Sequence, residues 1–326
     1  MDITFYNHYG VGDLFESREF VKDWMKLCGV TTARYAHRLL PGFFDDLPGI
    51  ESVAVLPEMD PRRALTWFQD YSTPVAGPLK PGPGVHLWVN TWIGARNAET
   101  QPPGDYVVWP GVGCTVEHLY RMHNDYLREA GLPKLPRDIV EYLPTIDYRR
   151  VECGMIGEFV AGMKRQGKRL VLLCNGPTGS GHASNFSFIT LLHSLPVRDD
   201  VVYLLTENPP LSGVNEAEMW RLNEGDVWFT DELTFRAARG GCDVNAISYL
   251  SRSCDLIVGR CSGAQMPTQV LENWMDSTKT LVCFTSHRNG ACFVLQPATL
   301  GLKMQVVHSD TDSPLVAAKL LERLLA

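Results

Sequence analysis

The feature that most constrains this chain is an alternation of short β-rich runs and helical segments, clearest after residue 166. The runs RLVLLC (169–174) and CDLIVGR (254–260) are largely apolar, which is typical of strands buried on both faces of a sheet. Helical segments such as SFITLLHSL separate these runs. Strands that alternate with helices indicate parallel sheets covered by helices on both sides. We therefore predict an α/β fold for this part of the chain.

The first half shows the same alternation, with loops rich in proline. Its β-rich runs are ITFYN (3–7), TTARYAH (31–37), SVAVL (52–56), VHLWVNTWIG (85–94) and DYVVW (105–109), and its helical segments are 17–28, 115–130 and 148–166. We predict two Rossmann-like domains, residues 1–166 and 167–326. We expect the domains to face each other across a cleft where the carboxyl ends of both sheets meet.

Composition narrows the class of protein. The 326 residues suffice for two domains, and the formal net charge of −7 argues against a broad nucleic-acid-binding surface. No two of the nine cysteines have CxxC spacing, which favours a reducing compartment. The first ten residues lack the features of a signal peptide, and no apolar run approaches the roughly 20 residues of a spanning helix. We expect a cytoplasmic protein without a transmembrane segment.

The stretch NHYGVGDLFESREFV (7–21) raises the first question of function. A dinucleotide fingerprint needs a third glycine where Phe15 stands, and an acidic residue after the second strand. This chain has His37 and Arg38 at that second position, where they could bind an anionic acceptor or simply lie on the surface. An NAD site is therefore excluded.

What remains is a loop in which Gly12 lets the backbone pass close to a ligand, with Asp13 at the start of a helix. A carboxylate at that position interacts favourably with the helix dipole. Asp13 is either an ordinary first-turn charge or a catalytic carboxylate, and spacing alone does not decide between them.

A second polar loop, CNGPTGSGHASNFSF (174–188), directly follows a buried strand. Glycines alternate here with hydroxyl, amide and imidazole side chains, which suits a diphosphate. It is not a Walker A loop, because no Gly-Lys-Ser/Thr follows. The alternative is a flexible connection. The candidate ligands are Asn175, Gly176, Ser180, Gly181 and His182.

A third loop follows the strand that ends at Arg260, in DLIVGRCSGAQMPTQVLENW. Arg260, Ser262, Gly263 and free N–H groups around Thr268 would form an anion site if a helix begins near Met266 or Pro267. Glu272 lies beside the apolar stripe of that helix. Its carboxylate could accept two ribose hydroxyls, or it could be a solvated helix charge.

Two weaker signals complete the set of candidate residues. Asp231, in the TDE that closes a strand, lies on the side where a nucleoside would bind, or merely ends the strand. Cys114, His118 and His123 are close in sequence, but their spacing gives a poor metal-binding face. We predict no metal site.

Taken together, these motifs resemble GT-B-type glycosyltransferases, in particular the ADP-heptose:lipopolysaccharide heptosyltransferase family and its bacterial and phage relatives. The resemblance covers most of the chain, and its second half is the more specific part. The motifs that carry it are GVGDLFESREFVKDW, NTWIG, YLPTIDY, CNGPTGSGHASN and ISYLSRSCDLIVGRCSGAQMPTQVLENWMDSTKTLVCF.

The resemblance implies roles for individual residues. It implies that Asp13 is a general base and that Glu272 holds the donor's ribose. The loops that would hold the diphosphate contain Asn175, Ser180, Gly181, His182, Arg260, Ser262 and Gly263. Those heptosyltransferases use a lysine near the first phosphate loop, and none lies between Arg169 and Glu272. The resemblance therefore does not fix ADP-heptose as the donor.

We expect a metal-independent, inverting glycosyltransferase that moves a hexosyl, heptosyl or pentosyl group from a nucleotide-diphosphate sugar and needs no other cofactor. The acceptor would be a saccharide or another hydroxyl compound; modified phage DNA is ranked lower because the chain is acidic. Two alternatives stay open. One is a nucleotide-sugar epimerase or hydrolase on the same scaffold, and the other is a nucleotide-sugar-binding protein without turnover.

Overall fold

The structure, a computed structural model of the chain, describes residues 2–7, 10–39, 42–54, 75–76, 86–91, 119–120, 123–125, 127–128, 131–135, 142–179, 183–207, 227–286 and 301–326. The chain divides into two compact units, Met1–Val151 and Glu152–Ala326. The sequence placed the domain boundary after residue 166. The helix Gly154–Arg165 therefore opens the second unit and does not close the first.

The described strands of the first unit form one five-stranded sheet. They are β1 (Asp2–Tyr6), β2 (Ala33–His37), β3 (Ile50–Ala54), β4 (Val75–Ala76) and β5 (His86–Asn90). Their order is β3-β2-β1-β5-β4, and only the β4–β5 pair is antiparallel among these strands. The strand order therefore reverses at β1, which has β2 on one side and β5 on the other.

Two helices follow β1, namely α1 (Val11–Glu16) and α2 (Arg18–Cys28). The apolar side chains of α2 recur at helical spacing, so Phe20, Val21 and Trp24 are all fully buried on one face. Gly29 ends the helix in the left-handed conformation, with φ of 63°, and its N–H donates to the carbonyl of Lys26. The helix predicted at 17–28 is confirmed.

The described strands of the second unit form a six-stranded parallel sheet. They are β6 (Arg169–Cys174), β7 (Val201–Leu205), β8 (Val227–Phe229), β9 (Leu256–Arg260), β10 (Thr280–Phe284) and β11 (Gln305–Ser309). Their order is β11-β10-β9-β6-β7-β8. Read from β8, this is the 3-2-1-4-5-6 order of dinucleotide-binding folds, whose ligands bind where the order reverses. That switch point lies at the carboxyl ends of β6 and β9.

Helices and 3-10 turns connect these strands. The helices are α3 (Gly154–Arg165), α4 (Phe188–His193), α5 (Thr230–Leu233), α6 (Val244–Ser251), α7 (Leu271–Trp274) and α8 (Pro314–Leu325), and the 3-10 turns are Tyr148–Arg150 in the first unit and Met266–Thr268 in the second. Helices α4 and α8 cover one face of the sheet, where Leu191 and Leu321 are fully buried together with Val171 and Val258. This packing forms the core of the unit.

The main difference from the sequence prediction is at residues 267–275, which were expected to form one helix. The 3-10 turn Met266–Thr268 ends there, Val270 is extended with ψ of 156°, and only then does α7 begin. Strands β4 and β11 were not predicted, and the run 105–109 lies outside the described residues. In the part of the chain that the structure describes, no helix is long and apolar enough to cross a membrane. A cytoplasmic location stays a prediction.

Candidate functional site

Three loops of the second unit converge at its switch point. Gly176 follows β6, Glu207 follows β7, and Ala264 lies in the loop after β9. A methyl group added to Gly176 would lie 2.7 Å from Cβ of Ala264 and 2.8 Å from Oε1 of Glu207. Glycine is needed here because any side chain would push these loops apart. The structure therefore brings Asn175, Gly176, Ser262 and Gly263, which the sequence analysis named in two separate loops, to one edge of the sheet.

The strands beneath this point also approach closely. Cys174 in β6 is paired in register with Gly259 in β9. A methyl group added to Gly259 would meet Cβ of Cys174 at 3.0 Å and Nε2 of Gln265 at 2.9 Å. Gln265 is fully buried, and its Nε2 donates to the carbonyl of Val282 in β10. The floor of the site is thus tightly packed across β6, β9 and β10.

Asn175 was predicted to bind a diphosphate, but the structure gives its side-chain amide protein partners. Its Nδ2 donates to the carbonyl of Glu207 at 2.7 Å, and its Oδ1 accepts the N–H of Glu207 at 2.9 Å. The hydroxyl of Thr206 donates to the same Oδ1 at 3.3 Å. Asn175 therefore holds the loop after β6 against the end of β7, and its side-chain amide is not free for a phosphate.

The loop between β6 and α4 is closed by a second amide. Oδ1 of Asn185 accepts the N–H of Thr178 at 2.9 Å, and Nδ2 of Asn185 donates to the carbonyl of Thr178 at 3.0 Å. The two bonds tie residues 175–179 to residues 183–187. The predicted ligands Ser180, Gly181 and His182 lie between these arms in sequence and outside the described residues.

Arg260 was predicted to contact phosphate, and this prediction is wrong for the guanidinium orientation observed. Arg260 is only 3% exposed and turns into the protein. Its Nη1 donates to the carbonyls of Asn175 and Gly176, Nε donates to that of Ser184, and Nη2 donates to that of Phe186. Burial lowers the pKa of Arg260 to about 10, so the group is still charged at neutral pH.

Ser262 and Gly263 keep hydrogen-bonding capacity at the switch point. The carbonyls of both residues accept N–H groups of the following turn, from Gln265 and Met266. The hydroxyl of Ser262 is buried without a partner among the described residues. Within that same set, the N–H groups of Gly263 and Ala264 donate to no acceptor. Successive unbonded N–H groups beside a hydroxyl favour an anion.

Thr268 was predicted to offer a free N–H group, but its N–H is already bonded. The N–H of Thr268 donates to the carbonyl of Gln265 at 3.0 Å, and its hydroxyl donates to the same oxygen at 2.8 Å. The residue is fully buried. Because residues 266–268 form a 3-10 turn and not the start of a helix, its donors are satisfied locally and Thr268 is not available to a ligand.

Glu272 lies away from the switch point. It is exposed and lines a cavity of about 280 Å³ together with Ser253, Asp276 and Lys279. Ser253 precedes β9 and Lys279 precedes β10, so this cavity is at the amino ends of the strands. Ligands of such sheets bind at the carboxyl ends. The ribose-binding role predicted for Glu272 is therefore inconsistent with its position.

Acidic side chains follow β8 and β7 on their carboxyl side: Asp231 and Glu232 follow β8, and Glu207 follows β7. Asp231 lies in the first turn of α5, directly after β8, and is partly exposed. Glu207 was missed by the sequence prediction. The available signal was its position after YLLT, the second strand of the unit, where dinucleotide-binding folds carry an acidic residue that binds ribose.

In the first unit, Asp13 is the third residue of α1 and is half-buried, while Gly12 is buried. Gly10 precedes the helix in an extended conformation, and its carbonyl accepts the N–H of Leu14. Among the described residues, none lies within 4 Å of a methyl group added to Gly10. Asp13 therefore lies after the carboxyl end of β1, at the switch point of the first sheet.

A chain of buried hydroxyls lies beneath this loop. The hydroxyl of Tyr35 is 2.9 Å from Oγ of Ser17 and 2.5 Å from Oγ1 of Thr91. Ser17 also donates to the carbonyl of Leu14, and Thr91 donates to that of Tyr6. Burial raises the pKa of Tyr35 to about 12, so it is a neutral hydrogen-bonding group. The chain fixes α1 to the ends of β1 and β5, and thereby the helix that carries Asp13.

The basic and metal-binding candidates of this unit are not assembled into a site in the described residues. His37 is 1% exposed and burial lowers its pKa to about 4, so it carries no charge for an anionic acceptor. His123 is fully buried between the rings of Phe20 and Trp24. Cys114 and His118 lie outside the described residues, within which no three metal-ligating side chains cluster.

Comparison with known proteins extends the fold assignment. No protein-family model and no curated protein matches the chain. Among solved structures, the E. coli ADP-heptose lps heptosyltransferase II superposes with a TM-score of 0.53 at 13% identity, covering 100% of this chain and 98% of that one. The glycosyl transferase family 9 protein from Veillonella parvula DSM 2008 gives 0.52 at 10% identity, covering 99% and 92%.

The E. coli heptosyltransferase WaaC with ADP gives a TM-score of 0.50 at 11% identity, covering 100% of this chain and 99% of that one. These likenesses extend over the whole chain, and at such identity they are likenesses of fold. The chain therefore resembles GT-B glycosyltransferases of the heptosyltransferase type, and the predicted α/β fold with two Rossmann-like domains is confirmed.

Proposed function

We propose that this chain is a glycosyltransferase that moves a sugar from a nucleotide-diphosphate donor to an acceptor hydroxyl, without a metal ion and with inversion at the anomeric carbon. The main support for this proposal is the switch point of the second unit. Gly176, Glu207 and Ala264 meet there, and the hydroxyl of Ser262 lacks a partner among the described residues. The heptosyltransferase-like fold of the whole chain supports the same function.

We assign the donor's diphosphate to neutral hydrogen-bond donors at this point. The N–H groups of Gly263 and Ala264 and the hydroxyl of Ser262 can stabilise the leaving group's charge without a contact from Arg260. Glu207 replaces Glu272 as the candidate for the ribose hydroxyls, because it follows the carboxyl end of β7, the second strand of the unit. ADP is the first nucleotide to test, because two similar structures are described with ADP or ADP-heptose in their names.

Asp13 is proposed as the general base. Glycosyl transfer needs an acceptor hydroxyl that loses its proton as it attacks, and such a base contributes about 10²–10⁴-fold to the rate. Asp13 is half-buried at the carboxyl end of β1, on a helix held in place by buried hydroxyls. The proposed acceptor is a saccharide or another small hydroxyl compound, with modified DNA as the lower-ranked choice.

Nucleotide binding is the first test. ADP, UDP, GDP, CMP and dTDP are screened for a rise in melting temperature, since a ligand at 100 times its Kd adds about 2.7 kcal/mol to the unfolding free energy. We expect Gly176→Ala to weaken the effect, because overpacking costs about 1–3 kcal/mol. Gly179→Ala is the matched control, since its methyl group meets none of the described residues within 4 Å. No response to any nucleotide would refute the proposal.

The roles of Glu207 and Asp13 are tested on the bound nucleotide and on turnover. Glu207→Gln should reduce the preference for ADP over 2′-deoxy-ADP, and an unchanged preference would remove Glu207 from the ribose site. Asp13→Asn should keep nucleotide binding and lose transfer, with the exposed Asp2→Asn as control. If the wild type released free nucleotide from the donor at the same rate without an acceptor, a hydrolase would be favoured. Loss of transfer activity in EDTA would contradict metal independence.

A further inference from the structure

Arg260 ends β9 at the switch point. Each hydrogen bond of its guanidinium described above goes to a backbone carbonyl. Nη1 lies 2.8 Å from the carbonyl oxygen of Asn175 and 3.1 Å from that of Gly176. Nε lies 3.0 Å from the carbonyl oxygen of Ser184, and Nη2 donates to that of Phe186. Four of the five N–H bonds that an arginine can donate are thereby used on one loop.

The four carbonyls belong to the two described arms of the loop between β6 and α4. Asn175 and Gly176 are on the outgoing arm, residues 175–179, while Ser184 and Phe186 are on the returning arm, residues 183–187. One planar group therefore joins both arms at their base. The Thr178–Asn185 pair joins the same arms one step farther out. The fixed fork of a guanidinium suits this bridging, whereas an ammonium group would reach fewer of these oxygens at once.

Aromatic rings complete the environment of the charge. The guanidinium carbon lies 4.5 Å from the ring centroid of Phe188 and 5.2 Å from that of Phe186. A buried charge is destabilising unless it is hydrogen-bonded, and here carbonyl dipoles and ring faces both favour the cation. The four carbonyls and the ring of Phe186 belong to the loop itself, whereas Phe188 begins α4 and the carboxylate of Glu207, after β7, also favours the cation. A change in the conformation of the loop would therefore remove most of the groups that offset the burial of this charge.

We propose that Arg260 is a positioning residue that closes the loop after β6 and acts on a bound nucleotide only through that loop. The part concerning the nucleotide rests on the proposed function; the part concerning the loop does not. Charge and geometry are separable here, because Arg260→Lys keeps the positive charge and loses the fork. Arg260→Met removes both.

Amide hydrogen exchange of the full ligand-free chain tests the loop. In both Arg260 variants we expect the amide of Thr178, whose N–H donates to Oδ1 of Asn185 across the two arms, to exchange about tenfold faster or more, as expected when hydrogen bonds to a charged group are lost. Core amides of β6 and β10 should change less. Arg169→Met is the matched control, because Arg169 begins β6 at its opposite end and donates to the carbonyl of Leu325. Unchanged exchange of the Thr178 amide would overturn the proposal.

The affinity for ADP, measured by calorimetry, separates positioning from direct contact. We expect Arg260→Lys to lose about tenfold in affinity or more, as much as Arg260→Met. If the lysine variant retained wild-type affinity, the charge alone would suffice and the positioning role would be refuted. Global unfolding of both variants would also refute it, because Arg260 would then be a core residue. If the wild type bound no nucleotide, the proposed function would fail while the exchange experiment still decided the role of Arg260.

Discussion

His37 ends β2 inside a cage of aromatic rings, and burial there controls its protonation. The ring centroids of Tyr35 and Phe44 lie 5.8 Å and 5.5 Å from that of the imidazole. Nδ1 accepts the N–H of Leu39 at 3.1 Å, so protonation at that nitrogen would break this bond. Burial lowers the pKa of His37 from 6.5 to about 4. The folded chain therefore excludes a proton that the unfolded chain binds.

This difference predicts acid sensitivity. A histidine whose pKa is lowered by folding contributes stability that is complete above pH 6.5 and is lost as the pH falls towards 4. At pH 4 protonation of His37 in the unfolded chain lowers the free energy of unfolding by about 3 kcal/mol, because each pKa unit corresponds to about 1.36 kcal/mol. Urea unfolding between pH 7 and 4 should show a shallower decline for His37→Gln than for the wild type. His193→Gln, at a partly exposed histidine, is the control. Equal declines for His37→Gln and the wild type would contradict the prediction.

Residue identity alone did not reveal which polar side chains form hydrogen bonds within the protein and which remain available to a ligand. Arg260 and Ser262 are two positions apart, and the local pattern predicted the same phosphate-binding role for both. The partners of Arg260 are 74 to 85 positions away in sequence, which no local pattern could reveal. The glycines were easier, because Gly176 lies in a polar loop directly after a buried strand, and that context by itself predicts a close approach.

At the scale of elements, a buried ion pair joins α2 to the connection between β2 and β3. Arg18, the first residue of α2, and Asp46 are both fully buried. Nε of Arg18 lies 3.3 Å from Oδ2 of Asp46, and Nη2 donates to the carbonyl of Phe43 at 2.7 Å. The guanidinium carbon is also 4.2 Å from the ring centroid of Phe15. The pair therefore fixes residues 42–47 to the first helices of the unit.

Breaking this pair should destabilise the first unit strongly. Asp46→Ala leaves the guanidinium buried without its carboxylate, and such losses cost about 3–5 kcal/mol. The adjacent and exposed Asp45→Ala should change the unfolding free energy by only about 0.5 kcal/mol or less. Urea unfolding measures both variants. Equal effects at positions 45 and 46 would show that the ion pair contributes little.

Helices whose start is marked by a capping residue and a proline could be predicted from the sequence. A helix that is interrupted by a long-range or side-chain hydrogen bond could not. Helix α8 begins with a Ser313 cap followed by Pro314, and both were visible in the sequence. Pro267 gave a start signal as well, but no side chain caps the turn there, and the turn stops at Gln269, which has ψ of 50°. The reason is a side chain: Nδ2 of Asn273 donates to the carbonyl of Thr268 at 2.8 Å and replaces the backbone bond that a helix would make.

At the scale of the whole molecule, the position of α3 decides where the second unit begins. Ile156 and Val160 of this helix are 0% and 8% exposed. The carbonyl of Glu152, just before the helix, accepts a hydrogen bond from Nη2 of Arg239 in the second unit. The sequence predicts that α3 is the last helix of the first domain, because the polar turn RQGKR follows it. Packing assigns it to the second unit instead.

Two fragments test this boundary. Residues 152–326 contain the whole six-stranded sheet and should unfold cooperatively, whereas residues 167–326 lack α3 and should be less stable by about 3–6 kcal/mol. That figure follows from two buried aliphatic side chains at about 1.5–3 kcal/mol each. Urea unfolding followed by far-ultraviolet circular dichroism compares the two fragments. Equal stability would return α3 to the first unit, since a helix that belongs to the second core cannot be removed without exposing that core.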